Sequence, residues 1–347
     1  MKLMKTTEAV GQVLCHDITQ IIPGVKKDAV FRKGHIITKE DIPVLLSVGK
    51  DTIYIWENDE TMMHENEAAQ VLYSMCACGT ASKMHPSSVK EGKVEVIADC
   101  DGLLKVDSEK LKKVNSFGEM MIATRHGNTT VKKGDKLAGT RIIPLVIKKD
   151  KLEAASHICD DGPILDIKPF VIRNAAIITT GNEVYHGRIQ DAFTPVIEKK
   201  IAEFGAQMMF HEVFDDDDKK ITAGCLRAIE AGAEIVFCTG GMSVDPDDKT
   251  PLAIKNTGAR IVSYGSPVLP GAMFLLSYYD AGDRLVPICG LPGCAMYNKR
   301  TIFDIVLPRL MARDMILADE LAGLGEGGLC LNCDVCTFPN CGFGKGF

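Results

Sequence analysis

Past residue 171 the chain alternates short apolar runs with stretches of helical spacing. Apolar residues cluster at 171–179, 206–214, 235–238, 260–264, 273–278 and 285–288, each about a strand in length. Between them, 191–204, 219–231 and about 250–256 place apolar residues three and four apart. Each stretch is followed by a glycine stop, at Gly205, Gly232 and Gly258. A longer apolar helix is predicted over 295–313. Repeated strand–helix units of this length predict an α/β domain with a mostly parallel sheet and helices on both faces.

Upstream the runs are shorter. Residues 1–56 alternate apolar and polar positions, with turn signals at Pro23-Gly24 and Lys33-Gly34, helical spacing over 40–48 and a strand over 52–56. A helix is predicted over 58–78, with Met62-Met63-His64 on its face, and a polar loop over 82–91. Strands follow at 94–98, 118–126, 129–131 and 139–147. Asp160-Asp-Gly-Pro163 reads as a connector. The chain thus divides into an α+β region (1–92), a small β-rich module (93–165), the α/β domain (171–313) and a Gly/Cys-rich tail (314–347).

Composition narrows the functional classes. The 347 residues are 46% hydrophobic and 25% charged, as in a soluble globular protein. A net charge of −6 argues against broad attraction to nucleic acid or an anionic membrane. No apolar stretch approaches membrane-spanning length, and the N-terminus lacks the apolar core of a secretory signal. A cytoplasmic homo-oligomer acting on a small molecule is the expectation. Thirteen cysteines, an odd number scattered through predicted strands, do not suggest a disulfide framework. Cys76-Ala-Cys78 is too closely spaced for a usual zinc pair and receives no assignment.

Candidate chemistry gathers where predicted strands end in glycine turns: Gly181, Gly240-Gly241, and Gly290 with Gly293. In a doubly wound sheet such turns meet at one edge, where backbone N–H groups bind anions. The stretch Thr239-Gly-Gly-Met-Ser243 is followed by Asp245, Asp247 and Asp248, then by the helix start Thr250-Pro251. Asn182, Glu183, Asp191 and the run from Asp215 to Asp218 supply further oxygen ligands. One of that run, Asp215 or Asp216, is assigned a functional role, and the rest are read as surface or helix cap. A phosphorylated ligand held with Mg²⁺ suits this set; an ordinary tight turn is the plainer account. Arg125-His126-Gly127-Asn128 is either an anion contact or an exposed hairpin turn.

The order of these motifs resembles the molybdopterin-binding domain of molybdenum-cofactor biosynthesis. The matching pieces are Thr179-Thr-Gly-Asn-Glu183, Gly187-Arg-Ile-Gln-Asp191, Thr239-Gly-Gly-Met-Ser243 with Asp248, Leu269-Pro-Gly271 and Gly290-Leu-Pro-Gly293. The resemblance implies that Thr239, Gly240, Gly241 and Ser243 cradle the phosphate of molybdopterin or of its adenylylated form. It also implies that Glu183 and Asp248 act near the metal or molybdate; Asp215, taken from the aspartate run itself, is the third candidate catalytic group. Gly290, Pro292 and Gly293 would border the pterin, and Gly181, Asn182, Asp191, Pro270 and Gly271 complete the ligand site. The chain departs from the molybdotransferase pattern at Asn182 (usually Asp), Asp245 (usually Gly, here offering a metal ligand) and Cys294 (usually Asn).

Instead of that family's further β-domain, the chain ends in Cys330-Leu-Asn-Cys333-Asp-Val-Cys336-Thr-Phe-Pro-Asn-Cys341. Four thiolates at this spacing reach one centre and suit Zn²⁺ or an Fe–S cluster. The glycines at 323–328 and 342–346 suggest a mobile attachment. The functional expectation is a Mg²⁺-dependent, molybdotransferase-like enzyme of cofactor assembly or modification, working by molybdate insertion or nucleotidyl chemistry and serving a molybdoenzyme client. The alternatives are a non-catalytic carrier or sensor of molybdopterin and a pyrophosphatase for nucleotide conjugates.

Overall fold

The computed structural model describes residues 2–22, 26–55, 59–77 and 83–346, and in it the apolar runs after residue 171 form one six-stranded sheet. Its strands are β1 (Asn174–Thr180), β2 (Gln207–Phe214), β3 (Ile235–Thr239), β4 (Arg260–Tyr264), β5 (Leu275–Asp280) and β6 (Leu285–Leu291). They lie in the order β2-β1-β3-β6-β5-β4. The first four in that order are mutually parallel, and β5 and β4 close the far side as antiparallel strands.

Alternation along these strands sends apolar side chains to two separate cores. Ala175, Ile177, Ile235, Phe237, Cys289 and Leu291 pack against helices α1 (Thr194–Ala202) and α4 (Ile302–Met311). Their neighbours Ala176, Ile178, Val236, Cys238 and Ile288 pack against α2 (Asp218–Glu230) and α3 (Thr250–Asn256). The mostly parallel sheet covered on both faces is therefore present as the periodicity predicts.

Helix α4 starts later than its apolar pattern suggests. The predicted helix over 295–313 is a single 3₁₀ turn, Gly293–Met296, and then loop as far as Thr301. Thr301 forms a capping box: its Oγ1 accepts from Phe303 N at 3.2 Å, and Asp304 Oδ2 accepts from Thr301 N at 2.8 Å. That cap frees residues 297–300 for other duties.

The chain divides into two units by contact. One comprises Met1–Asp99, Val106–Arg125 and Gly134–Asp166; the other comprises Cys100–Lys105, His126–Lys133 and Ile167–Phe347. The β-rich module over 93–165 is thus split between them. Within the second unit, Gly102–Leu104 pairs antiparallel with Thr129–Val131. Asp314, buried there, accepts from Lys105 Nζ at 2.8 Å, Lys168 Nζ at 2.5 Å and Arg309 Nε at 2.7 Å. Burial opposes its ionisation, but these three cations hold its carboxyl down at about 2.

In the first unit, a four-stranded sheet runs Met84–Pro86, Val94–Ala98, Lys136–Ile142, Met120–Thr124. The loop predicted over 82–91 therefore contains a short strand. The helix predicted over 58–78 begins only at Glu65, because Met62–His64 pairs with Val146–Lys148 and His64 Nδ1 accepts from Asn66 N at 3.2 Å. Arg125, in the candidate turn, pairs with Asp135 at 2.8 Å. Pro23-Gly24, Trp56, Asn58, Cys78 and Ser82 lie outside the described residues. No described helix is long and apolar enough to cross a membrane.

The tail is folded down, contrary to the mobile attachment its glycines suggest. Phe343 is buried in the core beneath α4, and Leu329 bridges Leu269. The glycines serve close packing: a Cβ at Gly344 would stand 2.6 Å from Ile305, one at Gly328 2.3 Å from the Pro267 carbonyl, and one at Gly346 2.0 Å from the Gly323 carbonyl.

Candidate functional site

Parallel register brings the ends of β2, β1, β3 and β6 side by side, with Thr180 opposite Phe214, Thr179 opposite Thr239 and Thr239 opposite Leu291. The residues just past these strand ends therefore meet at one edge: Asp215-Asp216, Gly181-Asn182-Glu183, Gly240-Gly241 and Pro292-Gly293. A cavity of about 640 Å³ opens there. Its lining includes, of the predicted residues, Gly240, Gly241, Ser243, Asp248, Pro270, Gly271, Pro292 and Gly293. Residues from well-separated stretches of sequence thus meet at one cavity edge. Sequence reasoning did not single out Phe193, Tyr297 and Asn298, which also line the cavity.

The glycines are there for different reasons. Gly240 has φ +82°, and a Cβ on it would stand 2.1 Å from the Thr180 carbonyl oxygen. That close approach is fixed by Thr180 Oγ1, which donates to the Thr239 carbonyl at 3.0 Å and meets Thr250 Oγ1 at 3.0 Å. A Cβ on Gly290 would stand 2.5 Å from Met242 Sδ, and one on Gly271 2.4 Å from Ile302. Gly293 differs: a Cβ there meets nothing within 4 Å, so no neighbour in the protein requires glycine.

The acidic groups sort themselves. Asp216 Oδ2 accepts from Asn182 N at 3.1 Å, and its carboxyl is pushed above the usual carboxylate range, first by burial and then by Glu183, Asp248 and Asp247. Asp215, the residue chosen from its run, instead receives Lys220 Nζ at 2.7 Å, while its Oδ1 is buried without a partner among the described residues. Asp217 caps α2 by accepting from Lys219 N at 2.9 Å and Lys220 N at 3.2 Å. Asp216 is therefore the member of the run that shares a field with Glu183 and Asp248. The sequence alone gives four adjacent aspartates no order; the strand end and the α2 cap do.

Asp191 works inside the protein. Burial would raise its pKa, but it is lowered overall by bonds from Thr194 Oγ1 (2.6 Å), Thr194 N (3.1 Å), Thr179 Oγ1 (2.9 Å) and Phe193 N (2.8 Å). It seats the start of α1 and is absent from the cavity lining. Asp245 is exposed and turns its own loop, accepting from Asp247 N at 3.1 Å. Gly181, Asn182, Glu183, Thr239 and Gly290 lie at the same edge without lining the cavity, and the Thr239 hydroxyl is buried without a partner among the described residues. Cys294 lines the cavity, with burial raising its thiol pKa. Tyr264, unremarked in the sequence, donates to the Met242 carbonyl at 3.3 Å; burial and then Asp248 raise its pKa.

Among the described residues no three His, Cys, Asp or Glu side chains form a group that could hold a metal ion. Of the carboxylates at this edge Asp248 lines the cavity, and Asp216 and Glu183 do not. Cys330, Cys333, Cys336 and Cys341 line a second cavity.

Comparison with known proteins places the resemblance on the same segment. Residues 176–312 match the family model described as "Probable molybdopterin binding domain", and residues 3–57 match a domain of unknown function. A protein of Geobacillus sp. (strain WCH70) described as competence-damage inducible is 34% identical over 89 residues, covering 26% of this chain and 20% of its own length. A protein of the same description from Bacillus cereus (strain B4264) is 32% identical over 130 residues, covering 38% and 31%. The chain thus spans between a fifth and a third of these relatives. Similar solved structures include the tungsten cofactor synthesizing protein MoaB of Pyrococcus furiosus, at 18% identity, 43% of this chain, 91% of that one and a TM-score of 0.31. The protein CinA of Thermoplasma acidophilum, described as of unknown function, aligns at 20% identity, covering 36% of this chain and 92% of that one, with a TM-score of 0.29.

Proposed function

We propose that the cavity at the sheet's carboxyl edge binds molybdopterin or its nucleotide form, and that the protein acts in molybdenum-cofactor assembly or modification. The observation that carries this reading is the meeting of Gly240-Gly241, Ser243, Asp248, Pro270-Gly271 and Pro292-Gly293 around one cavity. The tight Gly240-Gly241 turn suits a phosphate, because backbone N–H groups there offer fixed donors without a cationic side chain. Asp248 in the lining would repel that phosphate, so a Mg²⁺ ion between them belongs to the proposal. Asp216 and Glu183 supply further oxygens or orient its waters.

With Mg²⁺ in place the site suits transfer chemistry at a phosphate: molybdate insertion with release of AMP, or nucleotidyl exchange. The product would pass to a molybdoenzyme client. The four tail thiols add a centre for zinc or an iron–sulfur cluster. A carrier that binds without turnover is the second reading, favoured by the lining itself, where Asp248 is the one charged side chain among the described residues.

The test is calorimetric titration with molybdopterin, adenylylated molybdopterin and ADP-ribose, each with Mg²⁺, while AMP release is followed. Pterin binding with AMP release on adding molybdate supports the enzyme. Pterin binding without turnover supports the carrier. Absence of pterin binding overturns the assignment, and hydrolysis of ADP-ribose alone replaces it with a pyrophosphatase.

A further inference from the structure

The tail cysteines and the ligand cavity share a wall. Cys330, Cys333, Cys336 and Cys341 line a single cavity of about 370 Å³. Tyr297 and Asn298 line both this cavity and the one at the sheet edge. Opposite them, Leu269 N donates to the Gly328 carbonyl and Cys330 N donates to the Leu269 carbonyl, both at 2.8 Å. Leu269 is itself part of the ligand cavity's lining. The first thiol is therefore laced by main-chain bonds to the Leu269-Pro270-Gly271 wall.

Charge and anchoring suit an anionic centre. Four thiolates around iron leave a net negative charge, and Lys299 and Arg300 line this cavity. Arg300 donates to Asp304 Oδ1 at 2.9 Å, lies near the Cys336 side chain and stands 5.0 Å over the Phe338 ring. Lys299 Nζ donates to the Asp334 carbonyl at 3.4 Å. Asp304 is fixed in turn by the capping box of α4 and by Lys200. As they stand, no three of the described His, Cys, Asp or Glu side chains form a group that could hold a metal ion, so loading requires the thiols to draw together. Four cysteine thiolates are the ligand set of both 2Fe–2S and 4Fe–4S clusters.

We propose that Cys330, Cys333, Cys336 and Cys341 hold an iron–sulfur cluster whose presence sets the shape of the adjoining ligand cavity. The coupling half of this rests on the pterin-binding function proposed for that cavity. Binding draws four thiols inward, and Cys330 carries the Leu269 wall with it while Cys336 carries Arg300 and the Tyr297-Asn298 loop. By linkage, whatever the cluster does to ligand affinity the ligand does to cluster retention.

The test uses the full chain, purified anaerobically or reconstituted with ferrous iron and sulfide. Iron and acid-labile sulfide in equal amounts, with broad visible charge-transfer absorption, are expected, and are lost in Cys333→Ser and Cys336→Ser. Because Cys333 is exposed, its serine variant keeps the melting temperature of the cluster-free protein. Stoichiometric zinc without iron, or iron uptake unaltered by either substitution, overturns the cluster. Coupling is read in two ways. Hydrogen-exchange protection at 269–271 and 297–298 rises on reconstitution, and pterin affinity changes by about fivefold or more between loaded and cluster-free protein. Unchanged protection overturns the coupling whether or not pterin binds. Loss of pterin binding in both forms, with protection still rising, overturns only the ligand assignment.

Discussion

At the scale of single residues, glycines of one motif class separate by what surrounds them. Gly240→Ala forces a Cβ into the Thr180 carbonyl, so the turn must move, and a clear loss of thermal stability is expected along with loss of ligand binding. Gly293→Ala meets only open space; its melting temperature should be unchanged while pterin affinity falls, a contrast that calorimetry on the two variants checks. Asp216 makes a second residue-level prediction. Its raised pKa means that the folded state disfavours its charged form. Its contribution to stability is therefore complete below the unfolded carboxylate value near 4 and is lost as pH rises through the higher folded one. Asp216→Asn keeps an acceptor for the Asn182 N–H and removes the repulsion. The variant should melt higher at neutral pH without metal, yet bind Mg²⁺ about tenfold or more weakly. Equal Mg²⁺ affinity in the two proteins would show that Asp216 does not bear on the cation.

At the scale of elements, the most consequential one is the loop before α4. Apolar periodicity runs through Ala295 and Met296, so the pattern extends the helix too far back; the capping signature from Thr301 to Asp304 marks the true start. Thr301→Ala should cost about 1 kcal/mol, measured by denaturant unfolding, and should loosen Arg300 and Tyr297 before it affects the sheet. The strands and helices of the α/β half were legible because buried parallel strands and capped amphipathic helices each leave a period in the sequence. The turns at Gly240-Gly241 and Gly271 were legible for a related reason, since a turn that needs φ > 0 leaves few residue choices. Tyr297, Asn298 and Phe193 were not, because nothing local distinguishes a cavity-lining side chain from a surface one. The strand at Met62–His64 was missed for another reason: its partner, Val146–Lys148, lies far along the chain.

At the scale of the molecule, the cation cluster at Asp314 ties sequence-distant pieces of one unit. Lys105, Lys168 and Arg309 come from segments a local reading has no way to join. Because the folded pKa of Asp314 is depressed to about 2, its contribution is present above the unfolded value near 4 and lost as pH falls toward 2. Asp314→Asn should remove roughly 3 kcal/mol at pH 7 and flatten the acid limb of the stability curve, as urea titrations from pH 6 to pH 2 would show. A full-sized acid transition in the variant would assign that limb to other carboxylates.

The interleaving of the two units also bears on the order of events during synthesis. Residues 100–105 and 126–133 leave the ribosome well before 167–347, the stretch that completes their unit. Lys105 waits for Asp314, and Leu269 waits for its isolated bridge partner Leu329. Segments 100–105 and 126–133 pair with each other before the rest of their unit exists, and the ligand cavity has its full lining only once residue 298 has been made. A product truncated after Asn298 accordingly carries every residue of the cavity lining yet lacks the main-chain bonds that tie Leu269 to Gly328 and Cys330.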